Sequence, residues 1–280
     1  MALALELAGL DRVPEDSAIF VPGRDIRRVL FGVDVGAAEV AAAKALGFDL
    51  VIAHHPTGVY VDEWKVLLRH VEFMTAAGVP EKTARAAIAD RVEATKLRGQ
   101  ISNVDQVPST ARLLGMPFMN IHAPLDEIGR RRMRAQVDAA LAGGRARVTD
   151  VVEALAALPE MRAAPTTVQL LLGDPGHPAR TVVIAHGALT NGGYPVAHTC
   201  FAHGIDVVVY IHIDFGELQR LRAEGRGNLI VTGHLAGDSL GFTPFLTALR
   251  QRGLEVTTFS GVIEPGSSAS ARSGSPSPLS

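Results

Sequence analysis

The stretch of sequence that decides the fold is DLVIAHHP, residues 49–56. Its central LVIA is wholly apolar and carries two β-branched side chains, which is typical of a strand buried on both faces of a sheet. Pro56 has no backbone N–H and restricts the residue before it, so we predict that the strand ends in a loop here. His54 and His55 then lie at the carboxyl end of a buried strand, where open α/β sheets place their ligand sites.

Similar runs recur on both sides of this stretch. We predict strands at residues 28–34, 49–55, 117–124, 166–174, 180–187, 206–214, 228–234 and 254–261. We predict helices at residues 39–46, at 64–114 with breaks near 78–80 and Gly99, and at 125–141. Strands that alternate with helices indicate an α/β fold with a mainly parallel or mixed sheet.

We predict that the alternating strands and helices form two similar α/β lobes. The pair Gly143-Gly144 marks a break between them. We therefore place an N-terminal lobe with a helical insertion at residues 1–145 and a C-terminal lobe at residues 146–265. Residues 266–280, GSSASARSGSPSPLS, have almost no large apolar side chains, and we predict a disordered tail there.

Composition excludes several classes of function. The 280 residues carry a formal net charge of −2, which does not favour general binding to nucleic acid. The basic run around Arg130 and Arg134 is either a local patch or, as we favour, a solvated helix face. One cysteine, Cys200, cannot form an internal disulfide. No stretch reads as a signal peptide or a membrane span, so we expect a cytoplasmic protein that does not enter a membrane.

Histidines and acids concentrate at the predicted strand ends. His122, His186 and His234 each end an apolar run, as His54 and His55 do. Neighbours on a continuing strand point to opposite faces, so two adjacent imidazoles serve two metals side by side more easily than one. The alternative is a pair of ordinary loop histidines.

An acid follows two of these histidines at a spacing of four residues. His234 and Asp238 converge if the turn between them is helical; the alternative is a capping histidine and a solvated acid. Thr243-Pro244 is predicted to start the next helix, which would place Asp238 before it. Asp126 either bridges two metals or caps the helix that follows His122. Together these groups suit two divalent ions such as zinc, manganese or iron, in a two-metal hydrolytic arrangement.

Three blocks of sequence carry a resemblance to a known family. IAHHP (52–56), IHAPLD (121–126) and TGHLAGD (232–238), in this order, resemble the signature blocks of the NGG-interacting-factor-three-like family, whose members are often labelled GTP cyclohydrolase type 2 homologues. The resemblance implies two similar lobes, a dinuclear metal site in the cleft between them, and homo-oligomers that are hexamers in several members. It implies the metal ligands His54, His55, Asp126, His234 and Asp238.

The chain departs from the family pattern at three places. Asp238 stands where the family usually has Glu, and Ala123-Pro124 replaces Thr and Asn in the second block. The stretch between His55 and His122 is longer than in many members. Outside the ligand set, three residues are expected to support the ligands or to contact substrate: His122, His212 and Asp214. For His212 and Asp214 the alternative is a structural pair near a turn.

Two functions remain open from the sequence. The first is a metal-dependent hydrolase that acts on a small molecule, by resemblance a nucleotide or a phosphoester. The alternative is a non-catalytic metal-binding protein with a regulatory or assembly role. An organic cofactor is disfavoured, because no GxGxxG follows a strand and no GxxxxGK[ST] is present. The Gly-rich residues 186–193 either cradle an anion or form a plain tight turn, which we favour.

Overall fold

Nine strands form two mixed sheets in residues 1–58 and 61–266, the part of the chain that the computed structural model describes. The strands are β1 (Ala18–Val21), β2 (Arg28–Gly32), β3 (Leu50–Ala53), β4 (Phe118–Asn120), β5 (Gln169–Leu172), β6 (Val182–Ile184), β7 (Val207–Tyr210), β8 (Asn228–Val231) and β9 (Glu255–Phe259). The helices are α1 (Ala2–Ala8), α2 (Ala37–Ala45), α3 (Arg69–Ala76), α4 (Glu81–Ile101), α5 (Gln106–Leu114), α6 (Ala123–Leu141), α7 (Val148–Ala156), α8 (Pro159–Ala163), α9 (Gly193–Ala202), α10 (Phe215–Glu224) and α11 (His234–Gln251), with a 3₁₀ helix at Glu63–Leu68. The predicted α/β class, with two lobes and mixed sheets, is confirmed.

The first sheet has the strand order β1-β4-β3-β2-β9, with only β1 antiparallel to its neighbour. All four residues of β3 are buried, as the apolar run predicts. Ile52 packs with α1, α6 and α11 on one face, whereas Val51 packs with α2 and α5 on the other. Both faces are covered by helices because a strand in the middle of a parallel sheet has no solvated side.

The second sheet has the order β5-β8-β7-β6, with β5 antiparallel at its edge. Its apolar side chains alternate between two cores. Val207 and Val209 pack with α6, α7 and α11, and Val208 packs with α3, α4 and α9. The predicted strands in this half are all present, but each is shorter than the apolar run that predicted it.

Strand β9 requires a correction to the predicted lobe boundaries. We expected residues 146–265 to form the second lobe, yet β9 lies in the first sheet, where Arg28 pairs with Glu255 and Gly32 with Phe259. The chain returns to the open edge of β2 because α11, which precedes β9, packs on the core of the first sheet through Phe242 and Phe245. Residues 267–280 of the predicted tail lie outside the described residues.

Helices α6 and α11 form the layer between the two sheets. Leu125 and Phe242 belong to the core of the first sheet, and Met133 and Leu240 belong to that of the second. The helices approach closely because Gly241 faces α6; a side chain there would come within 1.9 Å of the Leu125 carbonyl oxygen. This close crossing brings the amino-terminal turns of the two helices together.

The start of α11 differs from the prediction. The helix begins at His234 and continues through Pro244, which we expected to open it. Proline has no N–H for the carbonyl of Leu240 one turn earlier, and that carbonyl instead accepts a hydrogen bond from Arg132 Nη1 at 2.6 Å. Asp238 therefore lies within the helix, one turn after His234.

The predicted helical region between β3 and β4 is present as four pieces. The first break falls at residues 77–80, as predicted, and the second at residues 102–105 and not at Gly99. The helix passes through Gly99 and ends where Ser102 becomes extended. In the described residues, no helix is both long and apolar enough to cross a bilayer.

Candidate metal centre

Histidines from both sheets converge with two carboxylates in the cleft between the lobes. The first sheet supplies histidines after β3 and β4, and the second sheet supplies histidines after β6, β7 and β8. Of the two carboxylates, Asp126 lies on the first turn of α6, and Asp238 lies one turn after the start of α11. The cluster consists of His54, His55, His122, His186, His212, His234, Asp126 and Asp238.

His54 has its tautomer fixed by the backbone. Its Nδ1 lies 3.0 Å from the carbonyl oxygen of Ile121, which can only accept, so Nδ1 carries the proton. In the neutral ring, Nε2 then presents a lone pair toward Asp126 Oδ1 at 3.2 Å. Two lone pairs at this distance repel each other unless a proton or a metal ion lies between them. His54 is fully buried, so water does not relieve the repulsion.

Two further histidines are oriented by carboxylates behind them. His55 donates from Nδ1 to Asp34 at 2.6 Å, and His122 donates from Nδ1 to Asp16 at 2.7 Å. Each ring therefore turns Nε2 toward the interior of the cleft. A carboxylate that accepts from one ring nitrogen while the other faces a metal is a common arrangement in metal sites, since it fixes the ring and makes the ligand more basic.

The two buried aspartates lie within reach of several imidazoles. Asp238 Oδ2 is 3.3 Å from His234 Nε2, 3.5 Å from His55 Nε2 and 3.7 Å from His54 Nε2. Asp126 faces His54 and His186 with Oδ1, and His122 with Oδ2 at 3.6 Å. Ligands about 2.0–2.2 Å from one zinc-like ion are separated by distances of this size.

The buried polar atoms of the cleft that lack hydrogen-bond partners also fit a bound cation. Four buried atoms in the cleft have no hydrogen-bond partner among the described residues: His54 Nε2, Asp126 Oδ1, Asp238 Oδ2 and His186 Nε2. Leaving one such group unpaired costs about 1–3 kcal/mol, and more if it is charged. Three overlapping sets of side chains can each hold an ion: His54, His55 and His122; His55, His234 and Asp238; and His54, Asp126 and Asp238.

The carboxylates and imidazoles of the cluster stabilise each other's charged forms. Burial lowers the pKa of His122, but the carboxylates of Asp126 and Asp16 outweigh this effect and raise its pKa to about 9. Burial raises the pKa of Asp126 and Asp238, yet the surrounding imidazoles hold the pKa of both below the usual range. Both aspartates are therefore ionised, which is the state that binds a divalent ion.

A cavity of about 280 Å³ opens from this cluster toward solvent. One wall is the loop after β6, which includes Thr190 and Asn191, and the other comes from the helical segment between β3 and β4. That segment places Glu63 and Arg98 at the cavity. The space is sufficient for a small organic molecule or its reacting group.

The structure brings together all five residues of the predicted ligand set, His54, His55, Asp126, His234 and Asp238. His122 joins them directly, because its Nε2 lies in one of the ion-holding sets. The ring of His212 is tilted against that of His234, with ring centroids 4.6 Å apart, and His212 contacts Asn191 through Nδ1. Asp214 lies elsewhere: it is exposed and caps α10 by accepting from the Gly216 amide.

Sequence reasoning missed several residues of the cleft. Asp34 follows the predicted strand at residues 28–34, so its position at a strand end could have indicated it. Asp16 lies in an irregular segment with no periodic signal. His186 was noted at a strand end but was not chosen as a ligand. Glu63 and Arg98 come from a region that was predicted only as helix.

The fold and the site together define a class: a two-lobed α/β protein whose cleft is lined by imidazoles and carboxylates suited to metal ions. One solved structure, a NIF3 superfamily protein from Sphaerobacter thermophilus, is similar at 47% sequence identity, with a TM-score of 0.91 over 93% of this chain and 96% of that chain. The chain belongs to the NIF3 superfamily.

More distant structures share the fold alone. Reduced HcgD from Methanocaldococcus jannaschii is 12% identical, with a TM-score of 0.54 over 92% of this chain and 94% of that chain. Staphylococcus aureus protein SA1388 is also 12% identical, with a TM-score of 0.50 over the same shares. No family model matches the sequence, and no curated protein matches it.

Proposed function

We propose that the cleft holds two divalent metal ions and that the protein is a metal-dependent hydrolase acting on a nucleotide or a phosphoester. The observation that carries this proposal is the set of buried nitrogen and oxygen atoms in the cleft that have no hydrogen-bond partner among the described residues and are suited to bind a metal ion. Nitrogen and oxygen donors of this kind suit zinc, manganese or iron. The cyclohydrolase label of the family remains one version of this proposal.

The adjacent histidines divide the ligands between the two ions. One ion would be held by His55 and His234, and the other by His54 and Asp126. Asp238 would serve both, because its Oδ2 lies near imidazoles of both groups. His122 and His186 face Asp126 and complete its surroundings.

The bound ions would supply a water of lowered pKa and a positive charge for the developing oxyanion. The chain itself contributes orientation. Asp34, Asp16 and the Ile121 carbonyl hold three imidazoles in the correct tautomer, so the ligands need no reorganisation on binding. His212, held by Asn191, lies at the mouth of the cavity, where it can contact the substrate.

Metal content tests the first part of the proposal. Elemental analysis of the purified protein should give about two divalent ions per chain. The double variant His54→Ala/His234→Ala should lose most of this metal and remain folded. His198→Ala is the matched control, because His198 is a surface histidine paired with Glu224 and lies away from the cleft. Unchanged metal content in the double variant would remove the assignment.

Turnover tests the second part. A panel of nucleotides and phosphoesters should be hydrolysed by the metal-loaded protein and not by the chelated protein or the double variant. Two bound ions with no metal-dependent turnover on the panel would favour the alternative, a non-catalytic metal-binding protein with a regulatory or assembly role.

We further propose, from the family resemblance, a homo-oligomer, specifically a hexamer, located in the cytoplasm. Light scattering should give about six times the chain mass of 29.6 kDa. A particle of one chain mass at micromolar concentration would contradict the oligomer.

A further inference from the structure

The helical segment between β3 and β4 crosses the cleft and packs on the second lobe. In this segment, Val71, Met74 and Ile88 share a core with Val183 of β6 and Val196 of α9. The segment begins on the first lobe, directly after the ligand loop, so it spans both lobes. Glu63 of its 3₁₀ helix and Arg98 in the last turn of α4 line the cavity together with residues of the loop after β6, and we call these two residues the wall that the segment provides.

Glu63 is the buried acid of this wall. The residue is fully buried, and one carboxylate oxygen, Oε1, accepts a hydrogen bond from Arg98. The other oxygen, Oε2, is buried and has no hydrogen-bond partner among the described residues, although Glu63 lines the cavity. A buried carboxylate with one unused oxygen is costly, so the site is built to receive a hydrogen-bond donor from a ligand.

Arg98 supplies the positive charge of the same wall. About half of its side chain is exposed, and only one of its nitrogens contacts Glu63, so further N–H donors remain available. Among the described residues that line the cavity, Arg98 alone carries a permanently positive side chain. The wall is fixed by a second contact, because the Lys96 ammonium lies 4.1 Å from the centre of the Trp64 ring.

We propose that Arg98 and Glu63 form an oxyanion-recognition site for the substrate, and that the group they recognise is a phosphate with a hydroxyl group on it or beside it in the same ligand. Arg98 donates to the anionic oxygens, and Glu63 Oε2 accepts from the hydroxyl of the phosphate or from a neighbouring hydroxyl of the same ligand. This inference rests on the proposed function for the position of the reacting group beside the metal ions. It adds the residues that recognise the phosphate group of that substrate, and it narrows the phosphoester to a phosphomonoester or nucleotide.

Binding of hydrogen phosphate and binding of sulfate distinguish the contact made by Glu63 from the contact made by Arg98. Both are dianions at about pH 8, but only hydrogen phosphate has an O–H to donate. Titration calorimetry with each anion should show tighter binding of phosphate to the wild-type protein. The measurement is made on manganese-loaded protein and repeated on chelated protein, so that the contribution of Arg98 is obtained with and without metal.

Arg98→Ala should weaken phosphate binding about tenfold in both states, since a charge-assisted hydrogen bond at a half-exposed site is lost. Arg85→Ala is the matched control: Arg85 lies on the same helix and pairs with Glu81 outside the cavity. Equal phosphate affinity in wild type and Arg98→Ala, or an equal loss in Arg85→Ala, would overturn the assignment of Arg98.

Glu63→Gln should reduce the preference for phosphate over sulfate, because the amide can donate to sulfate where the carboxylate repels it. An unchanged preference would overturn the role of Glu63. Arg98→Ala leaves the Glu63 carboxylate buried without its partner. The double variant Glu63→Gln/Arg98→Ala avoids this unpaired charge, because residue 63 is then a neutral amide. Compared with Glu63→Gln, it should again bind phosphate about tenfold more weakly.

Failure of the proposed function has a different signature. If the wild-type protein binds no divalent ion, the proposal of a two-metal hydrolase is wrong. Phosphate binding to the chelated protein still tests the role of Arg98. If metal binds at full stoichiometry and Arg98→Ala leaves phosphate affinity unchanged, only the recognition site is wrong.

Discussion

Two buried histidines, one in the cleft and one in the helical segment that crosses it, behave in opposite ways. His122 in the cleft has its pKa raised to about 9, whereas the pKa of His70 in α3 is lowered to about 4. Burial acts on both rings in the same direction, because it disfavours the charged form. The difference therefore comes from their neighbours.

The neighbours of His122 are carboxylates, and those of His70 are not. Asp16 and Asp126 both lie against His122. Among the described residues, His70 forms a hydrogen bond only with a neutral acceptor, the carbonyl oxygen of Thr190, at 3.0 Å, and its Nδ1 has no partner. The nearby positive charges of Arg91 and Arg69 lower its pKa further. The cleft around His122 therefore stabilises a positively charged imidazole, whereas the surroundings of His70 keep its imidazole neutral, in a structural role.

His70 has a structural task in the loop that lines the cavity. Three side chains of the helical segment donate to backbone carbonyls of this loop: Arg69 to Gly187, His70 to Thr190 and Arg91 to Asn191. Loops usually carry few internal contacts and move more than the elements they join. These three bonds instead hold the loop against the segment, so the cavity wall is preformed.

The largest expected effect within this comparison is in the cleft, at the shared carboxylate. Asp238→Asn replaces the shared charged ligand with a neutral amide and should weaken both metal sites, by about 100-fold, with little change in the free energy of unfolding of the chelated protein. Metal titration measures the affinity of each site. Asp214→Asn is the control, since Asp214 caps α10 outside the cleft. Wild-type affinity at both sites in Asp238→Asn would exclude Asp238 as a ligand.

The next effect, of similar size in free energy, is expected at His70, as a dependence of stability on pH. The pKa of His70 is about 4 in the folded protein and 6.5 ordinarily, so the unfolded chain binds the extra proton between these values. The stabilisation is complete above about pH 6.5 and is lost as the pH falls toward about 4, by about 2–3 kcal/mol.

His70→Gln keeps a donor for Thr190 but cannot titrate, so its free energy of unfolding should fall less steeply over this range. Denaturant unfolding of the chelated protein at several pH values gives the two curves, and all other titrating groups are common to both. Parallel curves for wild type and His70→Gln would show that His70 does not remain neutral when folded.

The smallest effect is expected from the carboxylates behind the ligands. Asp16→Asn should lower metal affinity about tenfold, because a buried partner that orients His122 is lost. Asp34→Asn should have a weaker effect, because Asp34 is 72% exposed and water can replace its contact with His55. Metal titration of both variants gives the order, and a larger loss in Asp34→Asn would contradict this explanation.

The sequence by itself determined the local features. The apolar run at residues 50–53 and the proline at position 56 were enough to predict a buried strand that ends at two histidines, and the structure confirms that strand. The spacing of four between His234 and Asp238 predicted that both could face one site, and they do so on one helix turn. Hydrophobic pattern and proline geometry act over a few residues, so they are readable without the fold.

Only the tertiary structure decided which distant residues meet. The pairing of β9 with β2, the start of α11 at His234 and the positions of Asp16 and Asp34 behind the histidines all depend on contacts between remote parts of the chain. Glu63 and Arg98 meet because the 3₁₀ helix packs on α4. Such contacts are chosen by edge pairing, helix packing and charge compensation in three dimensions, and these leave no periodic signal in the residues that take part.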